Sequence, residues 1–350
     1  MENEPILETR NTALRSNPNI FAYPRSSDVN ITTSGSNVYW AIMSLFGKSS
    51  LFDTPLPPTK RFLGFVTLIF LAWSFTVPRR NRIFHYITIS ITLVACISYF
   101  TMASNLGYAA IEVEFKRARP NVAGIYREVF YVRYIDWFVT TPLLLLDLLL
   151  TAGLPWPTIC YTILLDEIMI ITGLVGALVM SSYKWGYFVF AMVALFLVAW
   201  NVMWVGRKHA RALGGPIYKT YNTCAVWTMY LWFLYPIAWG CSEGGNFITP
   251  DSEATFYAVL DVLAKIVFGF MLLNGHRNID PAHIGIHIRD YDDDMPVREK
   301  NALASAAIAH NTTPAVGTTT GATTGVNNGG VHPTTAAPAT TTTTTGTSAV

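Results

Sequence analysis

Six runs of about 20 mostly apolar residues follow one another along the chain, each long enough to cross a bilayer as a helix. They fall at about 84–106, 129–150, 156–180, 183–206, 220–241 and 253–275. Hydrophobic residues make up 51% of the chain and charged residues 13%, against roughly 25% charged in a soluble domain. That balance excludes a soluble two-domain enzyme and a disordered protein. A net charge of +2 offers no basic surface for phosphates, so nucleic acid is excluded as a partner. The sequence reads as an all-α, multi-pass membrane protein with the lipid bilayer as its solvent.

A seventh run, FLGFVTLIFLAWSFTV at 62–77, is short. It follows YWAIMSLFG (39–47) and the stretch KSSLFDTPLPPTKR, whose prolines leave backbone groups that hydrocarbon cannot satisfy. Joining YWAIMSLF directly to the seventh run gives 24 apolar residues, a normal span. Residues 47–61 therefore read either as a retained intron or as a real surface loop preceded by a short amphipathic helix. Gly47-Lys48-Ser49 can be encoded by GGTAAGTCN, which contains a splice-donor consensus, and sequencing the transcript separates the two readings. The organisation expected is a polar extracellular tail at 1–37, a seven-helix unit at 38–275, and a disordered cytoplasmic tail rich in Thr, Ala and Gly at 276–350.

The chain starts MENEPILETR, without the basic and apolar regions of a cleavable signal peptide. None of Cys96, Cys160, Cys224 and Cys241 shows CxxC spacing, so neither a metal site nor a disulfide framework is expected. Arg79, Arg80 and Arg82 follow the first span; Arg207, Lys208, Arg211 and Lys219 lie between the fifth and sixth. The second-to-third loop holds Lys116, Arg117, Arg119 and Arg127, offset by Glu112, Glu114 and Glu128. The balance places the N-terminus outside and the C-terminus in the cytoplasm. The sequon Asn30-Ile31-Thr32 then faces a compartment where glycosylation occurs.

Ionisable groups at membrane depth cost roughly 2.5–3.5 kcal/mol each on insertion scales, so those within spans are functional suspects. Span three reads YVRYIDWFVTTPLLLLDLLL. Arg133 and Asp136 share a helical face, as an ion pair or as part of a site. Asp147 lies eleven residues beyond Asp136, on that same face about 16 Å along the axis. Span seven places Asp261 and Lys265 four apart and mid-span. A lysine this deep must pair with carboxylates, lose its proton, or form a Schiff base with a carbonyl compound. Arg133, Asp136, Asp261 and Lys265 sum to zero charge. Span six adds Trp232, Tyr235 and Trp239 on one face, where Pro236 should kink the helix. The stripe is either packing or the wall of a site for a flat apolar ligand.

RYIDWFVTTPLLLLDLLL, LDVLAK, LWFLYPIAWG and IMIITGLVGAL closely resemble the third, seventh, sixth and fourth helices of the microbial rhodopsins. WSFTVPRRNRIFHYIT and SSYKWGYFVF look more like the fungal opsins than the archaeal ones. The resemblance runs from about Trp73 to Leu273. It implies a seven-helix bundle around all-trans retinal, with a short β-hairpin possible in the second loop on the extracellular side. Lys265 would carry retinal as a protonated Schiff base. Asp136 would be counterion and proton acceptor, Asp261 the second counterion, Arg133 the gate of the outer half-channel, and Asp147 the proton donor. Glu243 and Glu253 match the proton-release pair, although Glu243 follows Trp239 one residue sooner than the family spacing. The pocket would use Thr88, Tyr99, Tyr134, Trp137, Thr141, Met169, Gly173, Trp232, Tyr235, Pro236 and Trp239, with Asp166 a buried carboxyl near the far end of retinal. Glu167, beside Asp166, has no counterpart in the family.

The function this implies is a light-driven outward proton pump in the plasma membrane, with retinal and protons as partners and a homo-oligomer possible. A sensory photoreceptor of the same fold is the alternative, and an opsin without chromophore is a third class that Lys265 argues against. Retention of Asp147 and of both outer glutamates favours the pump. No enzymatic activity is expected.

Overall fold

Each of the six long apolar runs forms a helix, and these helices surround an interior set mainly by the third and seventh spans. The computed structural model describes residues 30–46, 66–113 and 126–286. The helices are α1 (Thr33–Phe46), α2 (Val66–Phe75), α3 (Ile83–Ala103), α4 (Tyr131–Thr151), α5 (Trp156–Leu178), α6 (Lys184–Leu213), α7 (Gly215–Gly244) and α8 (Pro250–Asn278). The last six are each long and apolar enough to span a bilayer. In α4 and α8 some 67% and 61% of the apolar window is buried, against 33% in α5 and α6. Arg133, Asp136 and Asp147 of α4 and Glu253, Asp261 and Lys265 of α8 are accordingly buried in protein rather than facing lipid. Phe190, Phe196, Trp200 and Trp204 of α6 are exposed, as expected of a face turned to acyl chains.

The remaining span is made in two pieces. The Thr67 hydroxyl, in the first turn of α2, donates to the Phe46 carbonyl at the end of α1. The two halves meet there and both pack on α3. With 14 and 10 residues they supply the length of one crossing. The proposed intron or loop at 47–61 lies outside the described residues.

α1 starts at Thr33, inside the stretch expected to be polar tail. Its opening TSGSN carries no apolar period, and its order comes from tertiary contacts. The Ile31 N–H donates to Glu128 Oε2 at 2.8 Å and the Thr32 N–H to Asp251 Oδ1 at 2.8 Å. At the other end, Ile279, Pro281 and Ile284 are buried, so the segment assigned to the tail from 276 contributes packed residues as far as the described chain runs.

α6 and α7 overrun their apolar cores because, once nucleated, a helix extends easily through sequence such as RKHARAL. Gly214, at φ +119°, ends α6, and Pro216 in the next first turn suits α7. Within α7, helical geometry breaks at Phe233. Pro236 has no N–H to give the Trp232 carbonyl four residues back, and its ring crowds that carbonyl.

A hairpin is present: β1 (Ala109–Glu112) pairs antiparallel with β2 (Tyr126–Val129), Ala109 opposite Val129. It lies between α3 and α4, the first loop on that side of the bundle. Arg127, Glu128 and Val129 are buried, so β2 closes the end of the bundle.

Candidate functional site

α8 leaves α-helical geometry over Val262–Val267 and runs as a π-helix there. Such bulges turn a side chain out of register and occur often at functional positions. Lys265 sits in this stretch and is 1% exposed. Its Nζ donates to Asp136 Oδ2 of α4 and, at 3.3 Å, to Asp261 Oδ2. The two carboxylates differ in their other partners. Asp261 also accepts from Tyr99 Oη at 2.9 Å, Tyr235 Oη at 2.7 Å and, weakly, Trp137 Nε1 at 3.4 Å. Asp136 Oδ1 has no partner among the described residues. Asp261 is thus hydrogen-bonded on both oxygens, while one oxygen of Asp136 is left uncommitted.

From Lys265 an apolar cavity runs between α4, α5, α6, α7 and α8. Tyr134, Trp137, Thr141, Met169, Gly173, Trp232, Tyr235, Pro236 and Trp239 all line it, as the resemblance implies. Phe188, Met192 and Leu195 of α6 complete the wall; α6 had supplied no candidate because its lining residues are ordinary apolar ones. The Tyr134, Tyr235 and Tyr257 rings stand edge-on to Trp137 at 5.1–5.2 Å. A Cβ on Gly173 would lie 3.6 Å from Tyr134, so glycine leaves space there. An amine with two carboxylates at one end of a dry aromatic slot fits an elongated apolar aldehyde.

Three expected pocket members lie outside the lining. Tyr99 is spent on Asp261. Asp166 stands behind the wall, accepting from the Thr141 hydroxyl at 2.7 Å. Thr88 is instead the partner of Asp147, donating to its Oδ2 at 3.3 Å. α3 and α8 approach closely at this level because Gly269 faces Thr88; a Cβ there would meet Thr88 Cγ2 at 2.7 Å. Asp147 is 0% exposed, its Oδ1 is without a partner among the described residues, and Leu144, Leu145, Leu148 and Leu149 around it are buried.

Toward the other end of α4, Arg133 does not pair with Asp136. Its Nη1 donates to Glu253 Oε1 at 2.6 Å and Glu243 Oε1 at 3.3 Å, and its Nη2 to Tyr39 Oη at 2.7 Å. The Tyr257 ring lies 4.2 Å from the guanidinium carbon. Glu243 reaches this cluster despite its shorter spacing from Trp239, and Ser242, Tyr134 and Tyr257 also donate to it. Arg127 of β2 donates to Glu253 Oε2 at 2.6 Å and to Ile248 O at 2.7 Å. The sequence marked Arg127 only as a loop charge, and Tyr39 and Tyr257 not at all, since only the fold brings α1 and α8 onto Arg133 and β2 onto Glu253. Glu167 is partly buried beside lipid-facing Leu164 and Ile168, and nothing in the structure explains it. No metal-binding group of His, Cys, Asp and Glu occurs among the described residues.

A profile of the bacteriorhodopsin-like proteins matches residues 60–279. The opsin-like protein carO of Fusarium fujikuroi is 53% identical over 305 residues, covering 87% of this chain and 94% of that protein. The light-driven proton pump LR (Mac) from Leptosphaeria maculans matches in structure with a TM-score of 0.64 and 37% identity, covering 72% of this chain and 100% of that one. Halorhodopsin, a light-driven chloride pump, matches with a TM-score of 0.62 and 26% identity over 72% and 98%. By its sequence and its fold, this integral membrane protein belongs to the bacteriorhodopsin-like family of microbial rhodopsins.

Proposed function

We propose that the protein is a light-driven outward proton pump of the plasma membrane, with its N-terminus outside and retinal held on Lys265. One observation carries the reading: carboxylates lie on both sides of Lys265 along α4. Asp136 touches Nζ, Asp147 is buried about 16 Å further along the helix, and the Glu243–Glu253 pair sits at the opposite end around Arg133. Retinal, when bound through Nζ, supplies the light-driven isomerisation that frees the nitrogen's proton to leave.

The chain's own residues then give that proton a direction. Asp136 takes the proton of Lys265 Nζ across the contact between them, using a carboxylate whose second oxygen is uncommitted. Asp261, held by two tyrosines and a tryptophan, stays as the fixed countercharge. Gain of a proton on Asp136 weakens the pull on the Arg133 side of the site. Arg133 Nη1, shared between Glu243 and Glu253, responds by shifting along the pair, and a proton carried by one of those carboxyls is released outward. An isolated buried charge is costly, so Asp147 holds a proton in the dark. It is then the internal source that returns a proton to Nζ from the other side. The distance requires water between Asp147 and Nζ during that step. Each proton moved against 100 mV takes about 2.3 kcal/mol, far below the energy of a visible photon.

Intact cells expressing the protein with all-trans retinal test the reading. Illumination should acidify the medium, and a protonophore should abolish the change. A coloured protein that leaves external pH unchanged would favour the sensory photoreceptor.

A further inference from the structure

Beyond Asp147, at the end of α4 away from Arg133, lie two histidines that the pumping scheme does not use. His85 of α3 and His276 of α8 line a cavity of about 320 Å³ with Asn81, Arg277, Trp73 and Pro281. It has room for several waters, each of which takes about 30 Å³ in the liquid. Both ring nitrogens of His85 are buried without a partner among the described residues. Arg82 and Arg277 are the charges nearby, and no described carboxylate lines the cavity. Histidine is therefore the titratable group there able both to take up and to give up a proton.

His276 is tied to the turn that carries Asp147. Its Nδ1 lies 2.8 Å from the Leu272 carbonyl, which can only accept, so Nδ1 bears a hydrogen. Its Nε2 lies 3.1 Å from Thr151 Oγ1, which is 2.7 Å from the Asp147 carbonyl. In the neutral imidazole Nε2 is the acceptor, and the Thr151 hydroxyl either donates to it or turns to the Asp147 carbonyl and leaves Nε2 open to take a proton. Phe84, stacked on the His276 ring at 4.0 Å, holds this orientation.

We infer that His276 is the proton-uptake station that recharges Asp147, with His85 the second station facing the cavity. The inference rests on the pump reading. After Asp147 has given up its proton, its carboxylate draws one through the His276 ring. The neutral imidazole takes a proton from cavity water at Nε2 as the Thr151 hydroxyl turns to the Asp147 carbonyl, then gives it up toward the carboxylate, and the hydroxyl returns to Nε2. That carboxylate is one helical turn from Thr151, a rise of about 6 Å that water bridges.

The test is flash photolysis of the retinal-loaded protein with a pH-sensitive dye in solution. In H276Q, proton uptake from the medium should slow about tenfold or more, while return of the proton to Lys265 from Asp147 changes by less than about twofold. Added imidazole should restore uptake, which it would not do for a merely structural residue. T151V should slow uptake in the same way, and it serves if H276Q yields no coloured protein. A coloured variant with uptake at the wild-type rate, or slow uptake that imidazole does not restore, overturns the inference. Absence of any light-induced proton release and uptake in the wild type overturns the pump reading itself, and is seen before any variant is made.

Discussion

Replacing Glu128 by glutamine should raise stability at alkaline pH and leave it nearly unchanged in acid. Glu128 is 0% exposed on β2, with Oε2 accepting the Ile31 N–H and Oε1 unpartnered among the described residues. Burial pushes its carboxyl up from 4.5 to about 7; the Ile31 hydrogen bond opposes this, and the charges of Glu253 and Asp251 add to it. The folded chain thus holds this proton more tightly than the unfolded chain. Its stabilising effect is complete below about pH 4.5 and is lost as pH rises through 7. At about 1.4 kcal/mol per pH unit, the ionised form destabilises the fold by roughly 3 kcal/mol once the loss is complete. Glutamine keeps an acceptor for Ile31 and cannot ionise. Glu128→Gln should match the wild type at pH 4.5, pull ahead through pH 6, and gain up to roughly 3 kcal/mol above pH 7. Unfolding of the detergent-solubilised protein, followed by tryptophan fluorescence across that range, measures the difference. A constant offset at all pH values, or a variant less stable at pH 8, would refute the reasoning.

Lys265→Ala should give a colourless protein that binds no retinal covalently, checked by absorption after a denaturing wash. Asp136→Asn removes the ion that holds the Lys265 proton, so absorption should move to the red and light-driven pH change should vanish; an unchanged band counts against the assignment. Asp147→Asn should leave colour intact and slow return of the proton to Lys265 by about a hundredfold, making that step depend on bulk pH. Azide should restore its speed, and flash spectroscopy showing a step indifferent to this substitution removes Asp147 as the donor.

What the sequence made legible followed from the expense of charge in hydrocarbon. Asp136, Asp147, Asp261 and Lys265 stand out in apolar runs, and helical spacing alone puts the acids of α4 on one face. The aromatic stripe of α7 and the break before Pro236 were equally readable, because a missing N–H has a fixed consequence four residues back. Other features depended on tertiary structure. Arg133 belongs with Glu243 and Glu253 rather than with Asp136, its neighbour in sequence, because the end of α7 and the start of α8 converge on it. Thr88 meets Asp147 because Gly269 lets two helices approach. α1 begins within a polar stretch ordered by tertiary contacts, those of Ile31 and Thr32 with Glu128 and Asp251 and that of Ser36 with the Ala103 carbonyl. The π-helical turn at Lys265 has no compositional signature.

Photocurrent from a voltage-clamped cell expressing the protein tests the central claim most directly. At zero membrane potential and equal pH on both sides, light should drive a steady outward current. That current should persist when chloride is replaced by an impermeant anion, and Asp147→Asn should reduce it while azide restores it. A current that is absent, inward, or lost with chloride would contradict outward proton pumping.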